Sequence, residues 1–294
     1  MTGTGNTSAE KVGLIGVGDM GLPMSGHMVR RGLDVVAYDV DPARLAAAVE
    51  GGVTAASSVA EVAARTGIVI ACLRTDDQMA AVAAEVAEHG RPGQLLVVAG
   101  THSLALMRRL AESLEAVGGR VIDAPVVYGT TGAREGTLLS LCGGATEDVE
   151  RARPALMGYS RGVEHVGALG AGQIAKACNN LLHWVHSVAN FETLALAKRY
   201  GVDAQRMREV LLQSPAENGT LRRWDGTRFT WQEKDMDLVT ELAQEGGLML
   251  PLTGQVDQLV KSLTAGDVAD LLYGEECRYL GRVVSAMSAA DGGL

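Results

Sequence analysis

The sequence is poor in cysteine and in positive charge, and it contains no long apolar run. Its four cysteines, spread over 294 residues with no Cys-x-x-Cys pair, exclude a disulfide scaffold and a cysteine-rich zinc site. The formal net charge is −9 at pH 7, so the chain lacks the basic surface that binding to nucleic-acid phosphates requires. No apolar stretch reaches the roughly 18 residues that indicate a membrane span. We therefore expect a small-molecule partner rather than a nucleic acid or a membrane.

The first ten residues have neither the basic segment nor the apolar segment of a signal peptide. We interpret residues 1–10 as a flexible tail and, since the cysteines are few and dispersed, we expect a reducing cytoplasm. Histidines and acidic residues show no metal-ligand spacing, so no metal site is predicted. Lysine is scarce, with five residues against 21 arginines. A lysine inside a motif therefore stands out, because arginine supplies most of the surface positive charge.

Hydrophobic residues make up 47% of the chain, which excludes extensive disorder. Over the first 165 residues, short runs rich in Val, Ile and Leu alternate with amphipathic stretches. Nearly continuous apolar runs are typical of strands buried on both faces of a parallel sheet, so this rhythm predicts a doubly wound α/β sheet. The predicted strands are 11–16, 34–39, 67–73, 94–100, 120–125, 137–143 and 162–167, and the helical stretches between them include 20–32, 42–51, 76–90 and 103–118.

The pattern changes near residue 170, after which only helical periodicity is present. A stretch without Pro or Gly predicts one long helix over about 173–200, ending before Gly201. Further helices are predicted over 203–213, 232–247, 253–265 and 270–289. We therefore expect two domains, 11–166 and an all-α domain over 167–294, joined by the long helix.

A glycine-rich loop follows the first predicted strand and opens the first predicted helix. Its GxGxxG pattern comprises Gly16, Gly18 and Gly21, with Asp19 and Met20 before the last glycine. In a dinucleotide site the first glycine permits the turn, the second lets the backbone approach the pyrophosphate, and the third lets the helix pack closely. The alternative is a glycine turn that binds nothing, but the strand before it and the helix after it favour the dinucleotide site.

An acidic residue stands where such a site would bind the ribose. Asp39 ends the second predicted strand, 21 residues after Gly18, and its carboxylate could accept hydrogen bonds from the ribose hydroxyls. Asp39 and the nearby Asp41 would repel the additional phosphate of NADP, so the sequence favours NAD. Arg44 is close in sequence, which leaves NADP open.

Four ordered motifs resemble the β-hydroxyacid dehydrogenase family, which includes 3-hydroxyisobutyrate dehydrogenase and is related to 6-phosphogluconate dehydrogenase and the imine reductases. The glycine loop lies within the first motif, GLIGVGDMGLPMSGHMVRRG. The remaining three are similar to the family's substrate-loop, catalytic and late motifs. They comprise Asp123-Ala124-Pro125-Val126 with 129–138, Gly170-Ala171-Gly172-Gln173 with Lys176, Asn179 and Asn180, and Lys234-Asp235-Met236.

The resemblance implies a Rossmann domain, a long inter-domain helix and a helical domain that forms a homodimer or homotetramer. It implies that Lys176 is the catalytic residue and that Asn179 and Asn180 bind the substrate. It also implies cofactor contacts, which would come from Gly16, Gly18, Asp19, Met20, Gly21, Asp39, Leu73, Arg74, Thr101 and Lys234. For Lys234, the alternative is an ion pair with Asp237 on its own helix.

This sequence departs from the family in the loop expected to hold the substrate. Val127-Tyr128-Gly129 replaces the family's usual Ser-Gly-Gly, so the serine hydroxyl is lost and a phenol is added. Arg74 replaces a proline, and Thr101-His102 stands where a Ser-Thr pair is common. The cofactor motif and Lys176 are retained, so the departures concern the identity of the substrate. Trp224 is a further candidate substrate contact, with core packing as the alternative.

The catalytic motif has a spacing that suits alcohol oxidation. Lys176 and Asn180 are four residues apart on the long helix and share a face, with Asn179 beside them. Lys176 could take the hydroxyl proton while a hydride leaves for the nicotinamide, and the amides could hold the oxygen. We interpret the protein as an NAD-dependent oxidoreductase that interconverts a 3-hydroxy acid, or a related primary or secondary alcohol, and its aldehyde or ketone. The alternatives are a reductase of an imine or a non-acid carbonyl, and a non-catalytic dinucleotide-binding module.

Overall fold

A computed structural model describes residues 10–288 and 290. The predicted tail lies outside the described residues except for Glu10, whose carboxylate pairs with Arg151 at 2.6 Å. Within the described residues the chain forms two compact units that divide between Lys176 and Ala177. This division falls inside the long helix, ten residues after the predicted limit of the first domain.

The first unit is built on a nine-stranded sheet with the order β3-β2-β1-β4-β5-β6-β8-β7, in which β9 also pairs with β8. From β3 to β6 every pairing is parallel, whereas β8 runs antiparallel to both β6 and β7. The strands are β1 (Val12–Ile15), β2 (Val35–Tyr38), β3 (Thr54–Ala55), β4 (Ile68–Ala71), β5 (Leu95–Val98), β6 (Arg120–Asp123), β7 (Val126–Val127), β8 (Leu138–Gly143) and β9 (Ser160–Gly167).

Helices cover both faces of this sheet, as the continuous apolar runs predict. On β5, Leu95 and Val97 point into one core, and Leu96 and Val98 into the other. Because successive side chains on a strand alternate between faces, burial on both faces requires apolar residues at every position. The helices are α1 (Gly21–Arg30), α2 (Pro42–Glu50), α3 (Val59–Arg65), α4 (Asp76–His89), α5 (Leu104–Glu115), α6 (Gly129–Glu135) and α7 (Thr146–Leu156). The doubly wound fold is therefore confirmed.

The second unit is mostly helical and includes the greater part of the long helix α8 (Ala171–Arg199), which matches the predicted 173–200 closely. Its core contains the fully buried Phe191 and Trp224, together with Trp184. The other helices are α9 (Ala204–Leu211), α10 (Gly219–Arg222), α11 (Gln232–Glu245), α12 (Pro251–Val260) and α13 (Ala265–Tyr273), with one 3-10 turn at Trp224–Gly226. Among the described residues, no helix combines the length and the apolar character that crossing a membrane requires.

One predicted helix is wrong over most of its length. The sequence pattern predicts a helix over 270–289, but α13 ends at Tyr273 and an antiparallel hairpin follows, β10 (Cys277–Tyr279) with β11 (Arg282–Val284). The turn uses positive φ at Leu280 and Gly281, which a helix does not allow. The hairpin attaches to α8, since Tyr279 donates a hydrogen bond to Glu192 at 2.6 Å. The segment after it also attaches to α8, because the Arg199 guanidinium donates a hydrogen bond to the Ser285 carbonyl at 3.1 Å.

Candidate active site

The glycine loop leaves β1 and enters α1 at the carboxyl edge of the sheet. Gly16 has φ +89°, a conformation that favours glycine, and a Cβ there would lie 2.5 Å from the Cys72 carbonyl oxygen. A Cβ on Gly21 would lie 1.9 Å from the Gly16 carbonyl oxygen, so the helix packs directly on the turn. A Cβ on Gly18 would meet only the Arg44 guanidinium, at 2.9 Å. Gly18 thus leaves open a backbone surface of the kind that a pyrophosphate approaches, and the loop fits a dinucleotide.

The acidic residue at the end of β2 is bonded to this loop. One oxygen of Asp39 accepts a hydrogen bond from the Val17 amide at 2.8 Å, and the other accepts from the Asp41 amide at 2.9 Å. The Asp41 carboxylate caps α2 and pairs with the Arg44 guanidinium at 3.4 Å. The structure therefore brings Asp39 beside the glycine loop, and its contact with the ribose stays a prediction.

Three further predicted cofactor residues follow the next two parallel strands. Leu73 and Arg74 follow β4, and Thr101 follows β5, so all lie at the same edge as the glycine loop because these strands are parallel neighbours. The segment after Thr101 is fixed by Asp76, whose two oxygens contact His102 Nδ1 at 2.8 Å and Ser103 Oγ at 2.5 Å. Burial acts to raise the pKa of Asp76, but the hydrogen bonds from Ser103 and His102 outweigh it, and the pKa is lowered.

A buried carboxyl group holds the beginning of α8 at this edge. Asp123, the last residue of β6, has no exposed surface and accepts hydrogen bonds from the amides of Gly170 and Gln173, both at 2.7 Å. Burial raises the pKa of Asp123 to about 6, and these backbone hydrogen bonds act in the opposite direction. The Gln173 side chain in turn bonds the backbone of Gly100 and of His102, each at 3.0 Å.

The three residues of the expected catalytic group all lie on α8. Lys176 is half-buried in the first turns of the helix, three residues after Gln173. Asn180 is buried and Asn179 is exposed. The side-chain nitrogen of Asn179 donates a hydrogen bond to the side-chain oxygen of Asn180 at 3.1 Å. The helix period places Lys176 and Asn180 on one face, as the spacing predicts.

The loop with the unusual sequence has a strained residue. Val127 is buried in β7, and Tyr128 follows with φ +84°, a left-handed conformation that costs a non-glycine residue about 1–2 kcal/mol. The Arg161 guanidinium lies over the Tyr128 ring, 4.4 Å from its centroid, and also donates a hydrogen bond to its hydroxyl. Tyr128 therefore has a fixed orientation, and Gly129 begins α6 directly after it.

The second unit contains the remaining candidates. Trp224 is completely buried in the core, which agrees with the packing alternative, and its substrate contact stays a prediction. Lys234 is exposed in the first turn of α11. The next residue, Asp235, accepts a hydrogen bond from the Trp184 indole at 3.1 Å and so anchors this turn to α8.

Two residues of this region received no role from the sequence, Asp123 and Gln173. Both stand in motifs that carry the family resemblance, but their partners lie 47 to 73 residues away in the chain, so no local spacing indicates them. Across residues 10–288 and 290, no group of three or more His, Cys, Asp or Glu side chains could hold a metal ion.

Comparison with known proteins covers both units. Residues 11–167 match the family model for the NAD binding domain of 6-phosphogluconate dehydrogenase. Residues 170–272 match the model described as NAD-binding of NADP-dependent 3-hydroxyisobutyrate dehydrogenase. The 3-hydroxyisobutyrate dehydrogenase of Pseudomonas aeruginosa is 34% identical over 221 residues, 73% of this chain and 73% of that protein. An NAD-dependent L-serine dehydrogenase of the same organism is 29% identical over 263 residues, 83% of this chain and 88% of that protein.

Solved structures show the same architecture. The Mycobacterium tuberculosis 3-hydroxyisobutyrate dehydrogenase with L-serine is similar with a TM-score of 0.81 at 27% identity, over 90% of this chain and 99% of that one. A Streptomyces aurantiacus imine reductase shares the fold, with a TM-score of 0.64 at 19% identity over 90% and 99% of the two chains. The named relatives are dehydrogenases, which favours an enzyme over a non-catalytic binding module. The chain belongs to the β-hydroxyacid dehydrogenase family of NAD(P)-dependent oxidoreductases.

Proposed function

We propose that the protein interconverts a 3-hydroxy acid and its carbonyl compound, with NAD as cofactor and Lys176 as the general acid and base. The observation that carries this proposal is the position of Lys176 in α8, one turn after Gln173, whose side chain bonds the backbone on both sides of Thr101. The substrate class is supported by the relatives, which include 3-hydroxyisobutyrate dehydrogenases and a dehydrogenase of L-serine. Both compounds carry a hydroxyl group on the third carbon of an acid.

Two bonds to hydrogen break in the oxidation, one at carbon and one at oxygen. Bound NAD supplies the acceptor for the hydride that leaves the carbon. The Lys176 amine takes the hydroxyl proton as the carbonyl forms, and in the reverse direction the Lys176 ammonium returns it. Asn179 and Asn180 hold the reacting oxygen or the substrate carboxylate, because a carboxamide can donate hydrogen bonds without competing for the proton.

NAD is preferred to NADP in this proposal because of the charge around Asp39. Its carboxylate is fixed beside the glycine loop by the Val17 and Asp41 amides. A phosphate on the neighbouring ribose hydroxyl would meet this negative charge at short range. Arg44 is the candidate cation for binding the additional phosphate of NADP, and its guanidinium pairs with Asp41.

The substrate loop supports a second candidate function. Val127 offers no hydroxyl group to a substrate carboxylate, and the hydroxyl of Tyr128 is already bonded to Arg161. A pocket that receives fewer hydrogen bonds from this loop suits a substrate without a carboxylate. The second candidate is therefore the reduction of a non-acid carbonyl or an imine on the same fold.

The deciding experiment is NADH formation by the purified protein with NAD and a panel of 3-hydroxy acids that includes 3-hydroxyisobutyrate and L-serine. We expect turnover with at least one acid, at a kcat/KM at least tenfold higher with NAD than with NADP. No turnover by a protein that binds NADH would contradict the 3-hydroxy acid assignment. A second panel of non-acid carbonyls and imines with NADH then tests the second candidate.

Three further expectations belong to the same proposal. We propose domain limits of 11–166 and 167–294, a location in the cytoplasm, and a homodimer or homotetramer. All four cysteines are free thiols, which suits a reducing compartment. The oligomer is supported by exposed apolar residues in the second unit, among them Leu248, Met249 and Leu252.

A further inference from the structure

Gln173 forms a bridge within the first unit that the proposed chemistry does not use. Its side chain is completely buried, its oxygen accepts a hydrogen bond from the His102 amide, and its nitrogen donates one to the Gly100 carbonyl, both at 3.0 Å. The two bonded residues flank Thr101, the expected cofactor contact after β5. Because both bonds end on the backbone, they fix the course of the chain through Thr101 whatever the Thr101 side chain contacts.

The helical end of this bridge is held just as firmly. The Gln173 amide and the Gly170 amide each donate a 2.7 Å hydrogen bond to Asp123. The carboxyl group fills the space between Gly143 and Gly172, where an added Cβ would lie 2.5 and 2.7 Å from its oxygens. The first turn of α8 therefore has one position relative to β6, and a shift of the helix would break several buried hydrogen bonds together.

The loop end is also held from its other side. Asp76 in α4 bonds the side chains of His102 and Ser103, at 2.8 and 2.5 Å. The segment through Thr101 is thus fixed between α4 and α8, and Gln173 is its connection to α8. Lys176 follows Gln173 by three residues and lies on the same side of the helix.

We infer that Gln173 is a positioning residue, which sets the distance between the Thr101 segment and the turn of α8 that carries Lys176. The inference rests on the proposed function, since it assigns the cofactor to Thr101 and the proton to Lys176. Hydride and proton must leave adjacent atoms of one substrate, so the spacing of these two groups governs the rate. A displacement of about 1 Å at such a site can cost on the order of a hundredfold in rate.

The test replaces Gln173 by methionine, which has similar length and no hydrogen-bonding amide. We expect Gln173→Met to lose at least tenfold in kcat, while KM and the Kd of NADH change less than threefold. Gln94→Met is the matched control, because Gln94 is also buried in the first unit but precedes β5, at the opposite end of that strand. A purely structural role for Gln173 would give the two variants the same kinetics.

Amide hydrogen exchange provides a second test, which does not depend on catalytic turnover. NADH binding should slow amide exchange in residues 168–177 of the wild type and of Gln94→Met, and this effect should be absent in Gln173→Met. The inference is overturned if Gln173→Met keeps this protection, or if its kcat falls no further than that of Gln94→Met. If Gln173→Met does not fold, Gln173→Glu is used, because it keeps the bond from His102 and loses the one to Gly100.

The two proposals can fail separately. The proposed function is contradicted if the wild type oxidises no 3-hydroxy acid but NADH still protects its residues 168–177. In that case the loss of this protection in Gln173→Met, measured by hydrogen exchange, decides whether Gln173 positions α8. A wild type that oxidises these acids, with a Gln173→Met variant as active as Gln94→Met, contradicts the bridge and supports the proposed function.

Discussion

Lys176 and Lys261 are two of only five lysines, and their surroundings differ. Lys176 is half-buried in the first turns of α8, and Lys261 lies at the end of α12, where it pairs with Asp257 at 2.9 Å. If Lys176 moves the proton, Lys176→Ala should lower kcat by at least about 100-fold, since a general acid–base typically contributes that much or more. The Kd of NADH, measured by fluorescence titration, should change little. Lys261→Ala is the control, and turnover by Lys176→Ala at the wild-type rate would refute the assignment.

A second residue-scale prediction concerns the charge at the end of β2. Asp39→Asn keeps an oxygen that can accept from the Val17 amide but removes the negative charge. The ratio of kcat/KM for NAD to that for NADP should fall by about tenfold or more, because repulsion of the additional phosphate is relieved. Asp34→Asn provides the control, since Asp34 precedes the same strand and pairs with Lys11. An unchanged ratio in Asp39→Asn would show that another group sets the cofactor preference.

At the scale of elements, alanine substitutions at two glycines of the loop between β1 and α1 should affect stability differently. An added Cβ at Gly21 would strike a backbone oxygen at 1.9 Å, so Gly21→Ala must push α1 away from the turn. A Cβ at Gly18 would meet only the mobile end of Arg44. Gly18→Ala should therefore keep the wild-type Tm within about 2 °C while weakening NADH binding at least tenfold. Gly21→Ala should lower the Tm and also weaken NADH binding. Equal Tm values for the two variants would contradict the close packing of α1 on the turn at Gly16.

The carboxyl group that holds α8 makes a prediction about pH. Burial raises the pKa of Asp123 from 3.8 to about 6, so the folded state retains this proton to higher pH than the unfolded chain does. The resulting stabilisation is complete below pH 3.8 and is lost as pH rises through 6. Between pH 5 and pH 7 the free energy of unfolding should fall by about 1 kcal/mol from this group alone.

Asp123→Asn removes this titration, and urea denaturation followed by circular dichroism measures the outcome. The variant should be less stable at both pH values. The Asp123 carboxyl oxygens accept hydrogen bonds from the backbone amides of Gly170 and Gln173, and the side-chain nitrogen of asparagine cannot accept one of these two bonds. The fall between pH 5 and pH 7 should be smaller by about 1 kcal/mol in the variant than in the wild type. Identical pH dependence in the two proteins would mean that Asp123 does not titrate in this range.

The elements that the sequence predicts correctly are those with a local signal. Strands β1, β4 and β5 contain no polar side chain, because both faces of the sheet are covered. Strands β3 and β7 have two residues each, which is too short for any periodicity to appear. The hairpin after α13 is not predicted by the sequence pattern, because the apolar residues of its two short strands are spaced as in a helix. Gly281, at φ +77°, is the one local sign of its turn among these residues.

The candidate site likewise has a part with a local sequence signal and a part without one. The glycine loop and Asp39 could be predicted because a strand, a turn and a helix follow one another within 30 residues. The bridge through Gln173 could not, because Gly100, Asp123 and Gln173 become neighbours only when three distant elements meet. The orientation of Tyr128 also depends on a residue 33 positions away, Arg161. Local spacing therefore predicts the cofactor loop, whereas its connection to α8 requires the folded chain.

For the whole molecule, the exposed apolar segment before and within α12 predicts association. Leu248 is 64% exposed and Met249 is 89% exposed, a pattern typical of a surface that a second copy of the chain covers. We expect light scattering after size-exclusion chromatography to give the mass of a dimer or tetramer. Met249→Glu should weaken association at least about tenfold, because a charge would be buried without a partner. Val117→Glu, at an exposed apolar residue of the first unit, should leave the mass unchanged, and a monomeric wild type would refute the prediction.

The scarcity of aromatic residues has a spectroscopic consequence. All three tryptophans, Trp184, Trp224 and Trp231, lie in the second unit, and the first two are buried in its core. Intrinsic tryptophan emission therefore reports the second unit alone, whereas far-ultraviolet circular dichroism reports the secondary structure of both. Heating the unlabelled protein while recording both signals tells whether the two units melt together or in sequence. A bound dinucleotide that stabilises the first unit would then shift the dichroism curve even where the emission curve stays in place.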